Sequence, residues 1–143
     1  MANLENRGVL IDTSVLIAHF RSREKKNTDF QKAIKTYKNC YISAITVYEM
    51  ELGALRAKRS SDLKQILPLL GVLPFGKIEA EQAAKLDKEL IEKNIRVGIR
   101  DVFIAGTALV HDVDVLTKNV EHFKRIKPVK LSMINVTSSH SSQ

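Results

Sequence analysis

The sequence predicts an α/β fold in three layers: helices cover both faces of a central, mostly parallel sheet of four to five strands. Two observations carry this. Short apolar, β-prone runs alternate along the chain with stretches whose apolar residues recur at helical spacing. The connections are short, and alternation of that kind builds a parallel sheet that needs cover on both sides. At 143 residues the chain is long enough for one real core. Residues 1–136 therefore read as a single domain, and the Ser-rich residues 137–143 as a disordered polar tail.

The first strand is residues 9–11, and residues 15–21 form the helix after it. Asn27 or Thr28 caps a second helix, in which Phe30, Ala33, Ile34 and Tyr37 share a face. Residues 40–42 are short, apolar and β-prone, a second strand. Ser43 caps a long helix to about Lys58, with Ile45, Tyr48, Leu52 and Leu55 on one side. Ser60 or Ser61 opens another helix to Leu70, distorted in its last turn by Pro68. Residues 71–75 are the third strand, and Pro74 places it at an edge. Residues 79–94 form an amphipathic helix carrying Ala83, Leu86, Leu90 and Ile91. The helix from Arg100 to about His111 is apolar nearly all round and therefore buried. In it, Ala105 and Gly106 permit close approach to a neighbouring backbone. Residues 113–116 are a fourth strand, Asn119 caps a short helix ending near Arg125, and residues 131–136 are a fifth strand.

Composition excludes several classes. No apolar run reaches the roughly 18 residues of a spanning helix. The polar start, with Glu5, is no signal peptide, so the expected location is the cytoplasm. Cys40 is the only cysteine, which removes disulfides and thiolate metal clusters and leaves a small core residue. The net charge of +7 is concentrated in residues 21–26, 56–59 and 124–130. Such an excess suits a polyanion through phosphate contacts, and equally a lysine-rich solubilising surface. The four histidines, His19, His111, His122 and His140, read as packing or surface residues, with His122 the one near the expected groove and an RNA contact as its alternative. Arg100, next to Asp101, reads as the ion-pair partner of an acid, with a phosphate contact as the alternative.

Three acids hold the functional content. Asp12 ends the first strand, where open α/β sheets gather their chemistry, although a strand-end acid also bonds a following helix terminus. Glu49 lies four residues after Ile45 and three before Leu52, on or beside an apolar face where an unpaired charge is costly. Asp101 opens a buried helix and reads on its own as an N-cap. Acids brought to one sheet edge repel unless a cation neutralises them, and oxygen-only ligands suit Mg²⁺ or Mn²⁺. Such an ion activates water and clamps a phosphate.

The chain resembles PIN-domain ribonucleases, especially the VapC-like toxins of toxin–antitoxin pairs. The resemblance rests on Ile11-Asp12-Thr13-Ser14, on Ser43-Ala44-Ile45-Thr46-Val47-Tyr48-Glu49 with Gly53, on Arg100-Asp101-Val102-Phe103-Ile104-Ala105, and on Leu116-Thr117-Lys118-Asn119-Val120-Glu121-His122-Phe123. It covers residues 8–136, with 71–75 similar to the segment that links the family's two halves. It implies Asp12, Glu49 and Asp101 as metal ligands, Thr13 or Thr117 as an orienting hydroxyl, and metal-dependent endoribonuclease activity. It also implies an RNA substrate, a homodimer and a cognate antitoxin that presents a basic residue to the acids. The departure is Asn119, where many members carry a fourth acid; Asn offers a carbonyl oxygen or a helix cap, but no charge. Glu121 or Asp114 is available to compensate, although Asp114 more simply flanks its strand. The alternative to an enzyme is a silent PIN domain that binds RNA or a protein. A response-regulator receiver is disfavoured because a single acid follows the first strand. A haloacid-dehalogenase-like phosphatase is disfavoured because Ser14 stands where its second Asp belongs.

Overall fold

The computed structural model describes residues 7–135. The predicted tail therefore lies outside the described residues. Strand β1 (Gly8–Ile11) is buried along its whole length and is flanked on both sides. Strands β2 (Asn39–Ser43), β3 (Gly71–Leu73) and β4 (Asp114–Leu116) complete a parallel sheet in the order β3-β2-β1-β4. In register, Leu10 faces Tyr41 on one side and Val115 on the other. β3 is an edge strand, as Pro74 implies. The chain builds outward from β1 through β2 to β3, then returns to the opposite side of β1 with β4. The strand order thus reverses between β1 and β4, which creates a crevice at their carboxyl ends.

Side chains alternate across β1, so the two faces have separate cores. Val9 and Ile11 pack with Val15, Leu16, Phe30, Ile42, Leu63 and Ile66. This side is covered by α1 (Thr13–Arg21), α2 (Asp29–Thr36), α3 (Ala44–Arg56) and α4 (Leu63–Ile66). Leu10 and Val115 pack with Leu86, Val102, Ile104, Ala105 and Phe123. That side is covered by α5 (Lys77–Glu92), α6 (Ile99–His111) and α7 (Val120–Lys124). Gly106 brings α6 against α5: a Cβ there would stand 2.9 Å from the backbone nitrogen of Ala83. The expected caps at Thr28 and Ser43 are present, accepting from Gln31 N–H and Ile45 N–H. Cys40 is buried and burial pushes its thiol up to about 11, consistent with an inert core residue.

Three elements differ from the sequence reading. The expected fifth strand contributes one isolated bridge, Val115 to Leu131. Ser132 then takes the Ile134 N–H on its hydroxyl at 3.2 Å, a local turn that competes with strand extension. Asn135 finishes the edge with its side chain, accepting from Thr117 N–H at 3.0 Å and donating to Val115 C=O at 2.8 Å. The helix before β3 is one short turn of α-helix followed by a 3₁₀ turn at Leu67–Leu69, because Pro68 has no N–H to continue the ladder. On α3, Ile45 packs against the core, but Tyr48 and Leu55 are 64% and 73% exposed. That apolar stripe faces solvent.

Candidate functional site

The crevice between β1 and β4 receives residues from the ends of both strands and from α1, α3, α6 and α7. β1 delivers Asp12 with its side chain wholly buried. Asp12 occupies the N-cap position of α1 but makes no capping hydrogen bond. Its Oδ2 instead accepts from Ser14 at 2.9 Å and Thr117 at 2.8 Å, and its Oδ1 from Arg100 Nη2 at 2.8 Å. The backbone supports this placement, since Asp12 N–H donates to Leu116 C=O at 2.8 Å and ties the end of β1 to the end of β4.

Glu49 projects from α3 toward the same point. Its Oε1 accepts from Thr13 at 2.6 Å and from Arg100 Nη2 at 2.7 Å, while Oε2 accepts from Arg100 Nε at 3.0 Å. Thr46, one helical turn before Glu49, places its hydroxyl 2.9 Å from that of Thr13. Asp101 is the third residue of α6, whose N-cap is Gly98, so the N-cap reading of Asp101 is corrected. The N-terminal end of a helix still favours its negative charge. Its Oδ1 accepts from Arg100 Nη1 at 2.5 Å and its Oδ2 faces His122 Nδ1 at 3.1 Å.

The structure therefore brings Asp12, Thr13, Glu49, Asp101 and Thr117 together around one cation, the Arg100 guanidinium. Burial alone would pull that group's pKa down, but the hydrogen bonds and charges of Glu49 and Asp12 outweigh it and raise the pKa. Among the described residues, no three Asp, Glu, His or Cys side chains converge on one another closely enough to ligate an ion as they stand. Each of the three acids is turned to Arg100. A cation does fit the shared position, since a guanidinium already stands in for one, and the donors around it are hard oxygens.

Asn119 lies at the rim. It is exposed, its N–H donates to Thr117 Oγ1 at 2.9 Å, and its side chain makes no cap hydrogen bond to α7. Neither candidate for compensation reaches the acids. Asp114 starts β4, at the opposite end from Thr117, and is held by Arg7 Nε at 2.9 Å and Tyr37 OH at 3.0 Å. Glu121 points to solvent and pairs with Lys124. Sequence reasoning assigned no role to Ser14, Thr46 and Asn135. Ser14 and Thr46 carried a signal, lying two residues from Asp12 and three from Glu49; Asn135 carried none, and His122, expected near the groove, faces Asp101.

One surface groove adjoins the acids, and a separate cleft is basic. A groove of about 410 Å³ between α1 and α3 is lined by Ile17, Phe20, Met50 and Gly53, and it opens onto Glu49. A second cleft, of about 640 Å³, is walled by Lys93, Arg96, Arg125 and Lys127, with Arg125 held by the Arg96 carbonyl at 3.0 Å.

Comparison with known proteins places this geometry in a family. The PIN domain profile matches residues 9–128. Ribonuclease VapC of Rickettsia bellii is 34% identical over 131 residues, 87% of this chain and 94% of that protein. The fold is shared with the VapBC2 structure of Rickettsia felis bound to a promoter DNA fragment, at a TM-score of 0.76 and 22% identity, covering 87% of this chain and 97% of that one. A member of the VapBC family of toxin–antitoxin systems from Mycobacterium tuberculosis, VapBC-5, superposes at a TM-score of 0.64 with 25% identity, covering 87% and 94%. The chain belongs to the PIN-domain family.

Proposed function

We propose that this protein is a Mg²⁺- or Mn²⁺-dependent endoribonuclease and the toxin of a toxin–antitoxin pair. The observation that carries this reading is the convergence of Asp12, Glu49 and Asp101, from three separate elements, on one cation position at the β1/β4 crevice. The ribonuclease name of the Rickettsia bellii relative supports the reaction class.

Asp12, Glu49 and Asp101 would hold the ion. A divalent ion in that position supplies Lewis acidity, lowering the pKa of water and offsetting charge on the scissile phosphate. The residues of the chain do the rest. Thr13 fixes the rotamer of Glu49 and Ser14 that of Asp12, and water activated at the ion would be the nucleophile at phosphorus. Thr117 holds the Asp12 carboxyl against rotation. Asn119 offers a neutral oxygen at the rim and adds no charge, so one firmly held ion is the expected complement. The basic cleft at Lys93, Arg96, Arg125 and Lys127 would take the RNA backbone leading away from the acids.

The same reading supplies partners. The α1–α3 groove beside Glu49 and, on the other side of α3, the exposed Tyr48, Leu52 and Leu55 are two surfaces that a cognate antitoxin would cover. A homodimer and a cytoplasmic location belong to the same proposal. Among the described residues, no helix is long and apolar enough to cross a membrane.

The test is cleavage of a panel of structured RNAs by the wild type, by the wild type with EDTA, and by Asp12→Asn. Cleavage confined to the first condition supports the proposal, and equal cleavage in all three sinks it. RNA that is bound but never cut by the metal-loaded wild type makes the protein a binding module instead.

A further inference from the structure

Arg100 makes four hydrogen bonds to the three acids, between 2.5 and 3.0 Å, through three different nitrogens. All six carboxyl oxygens are thereby committed. Oδ1 of Asp12, both oxygens of Glu49 and Oδ1 of Asp101 face Arg100; the others accept from Ser14 and Thr117 or face His122. A divalent ion ligated by these acids needs the oxygens that face Arg100. It would also stand beside a guanidinium of like charge. The ion and Arg100 therefore cannot share the position.

We propose that Arg100 is the resident cation of the acid cluster, that a divalent ion must displace it to bind, and that the displaced guanidinium becomes a contact to the RNA phosphate. This rests on the nuclease reading above and adds a residue to it. Two features separate Arg100 from a fixed structural ion pair. One guanidinium faces three carboxyls, leaving an excess of negative charge that a divalent ion would offset better. Arg100 is also the second residue of α6, in the turn where the helix dipole disfavours a cation, so the acids hold it there, with a longer bond of 3.3 Å to Thr13 Oγ1. Once an ion satisfies them, that hold is gone.

The second half of the proposal follows from position. The Asp12 and Asp101 side chains are buried, whereas that of Arg100 is 30% exposed, so Arg100 is open to a ligand arriving from solvent. Its backbone is fixed next to Asp101, so a released side chain stays at the mouth of the site. A planar guanidinium with paired donors is suited to bidentate phosphate contact, which a lysine ammonium does not reproduce.

Calorimetric titration with Mn²⁺ of the wild type, Arg100→Gln and Arg100→Lys reads the competition directly. The expected result is tighter Mn²⁺ binding by Arg100→Gln, on the order of 10-fold, with Arg100→Lys between it and the wild type. Unchanged or weaker binding in a folded Arg100→Gln overturns the inference and leaves the nuclease reading standing; no binding by any of the three overturns both. Should Arg100→Gln fail to fold, the wild type answers through the Arg100 Nε–H resonance, assigned by its loss in Arg100→Lys. Saturating Mg²⁺ should shift that resonance and speed its exchange with water, and an unmoved resonance in Mg²⁺-bound protein refutes displacement. For the phosphate contact, a labelled oligoribonucleotide is bound with Ca²⁺ in place of Mg²⁺. Both variants should bind it several-fold more weakly, and affinity equal to the wild type removes Arg100 from the substrate.

Discussion

Thr117 and Asp12, 105 residues apart in the chain, share a hydrogen bond of 2.8 Å across the crevice between β4 and β1. Ser14 reaches the same oxygen from the other side at 2.9 Å, so Asp12 Oδ2 is held twice and Oδ1 is aimed at the cation position. Orientation of one carboxyl thus depends on two strand ends remaining in register.

Replacing Thr117 by Val keeps the shape and deletes the donor. The expected cost is about 1.5–3 kcal/mol of stability, the net worth of a hydrogen bond to a charged group, together with loss of RNA cleavage. Thr117→Ser should restore both. Urea denaturation and initial cleavage rates check this, and a Val variant cleaving at the wild-type rate would show that the hydroxyl positions nothing.

Sequence reading reached this site only in part, for definable reasons. Asp12, Glu49 and Asp101 were legible because each interrupts an apolar pattern at a point the fold must bury or deliver to a sheet end. Arg100 was legible as the partner of an acid. That it faces all three acids depends on how α3 and α6 meet, which no local spacing encodes. The fifth strand looked real because apolar residues 131, 134 and 136 suit a strand, yet the Ser132 side chain captures the backbone first. The α3 stripe shows the converse limit. Helical spacing identifies an apolar face without saying whether it covers the core or awaits a partner, and Tyr48 and Leu55 lie on the second kind.

The basic cleft should reveal itself in salt dependence. If Arg96 and Lys127 contact phosphates, changing each to Ala should lower the slope of log affinity against log salt by about 0.7, as for a single-strand phosphate contact. Fluorescence anisotropy over a salt series measures it. An unchanged slope in the double variant places the RNA elsewhere.

Substituting the exposed α3 stripe should separate folding from partnership. Tyr48→Ser with Leu55→Asp removes apolar surface that the described fold leaves in solvent, so thermal stability should move little, within about 0.5 kcal/mol for positions of this kind. Affinity for the cognate antitoxin should fall at least tenfold by surface plasmon resonance, because apolar anchors carry most of an interface. Wild-type affinity would relocate the antitoxin away from this side of α3.

Stability should also carry the signature of His19. This side chain is buried beside Phe20 and Phe30, with Nδ1 2.7 Å from Thr28 Oγ1. Burial, helped by the nearby charge of Lys25, holds its pKa below the ordinary 6.5. Above that value both folded and unfolded chains keep the ring neutral, and the contribution to stability is complete. As pH falls below it, the unfolded chain takes up the proton first, so stability declines until the folded pKa is passed. Urea midpoints at about pH 7.5 and about pH 5.5 should therefore drop further for the wild type than for His19→Gln, which does not titrate in that range. Equal drops would mean that the ring protonates as readily in the folded protein as in the unfolded chain.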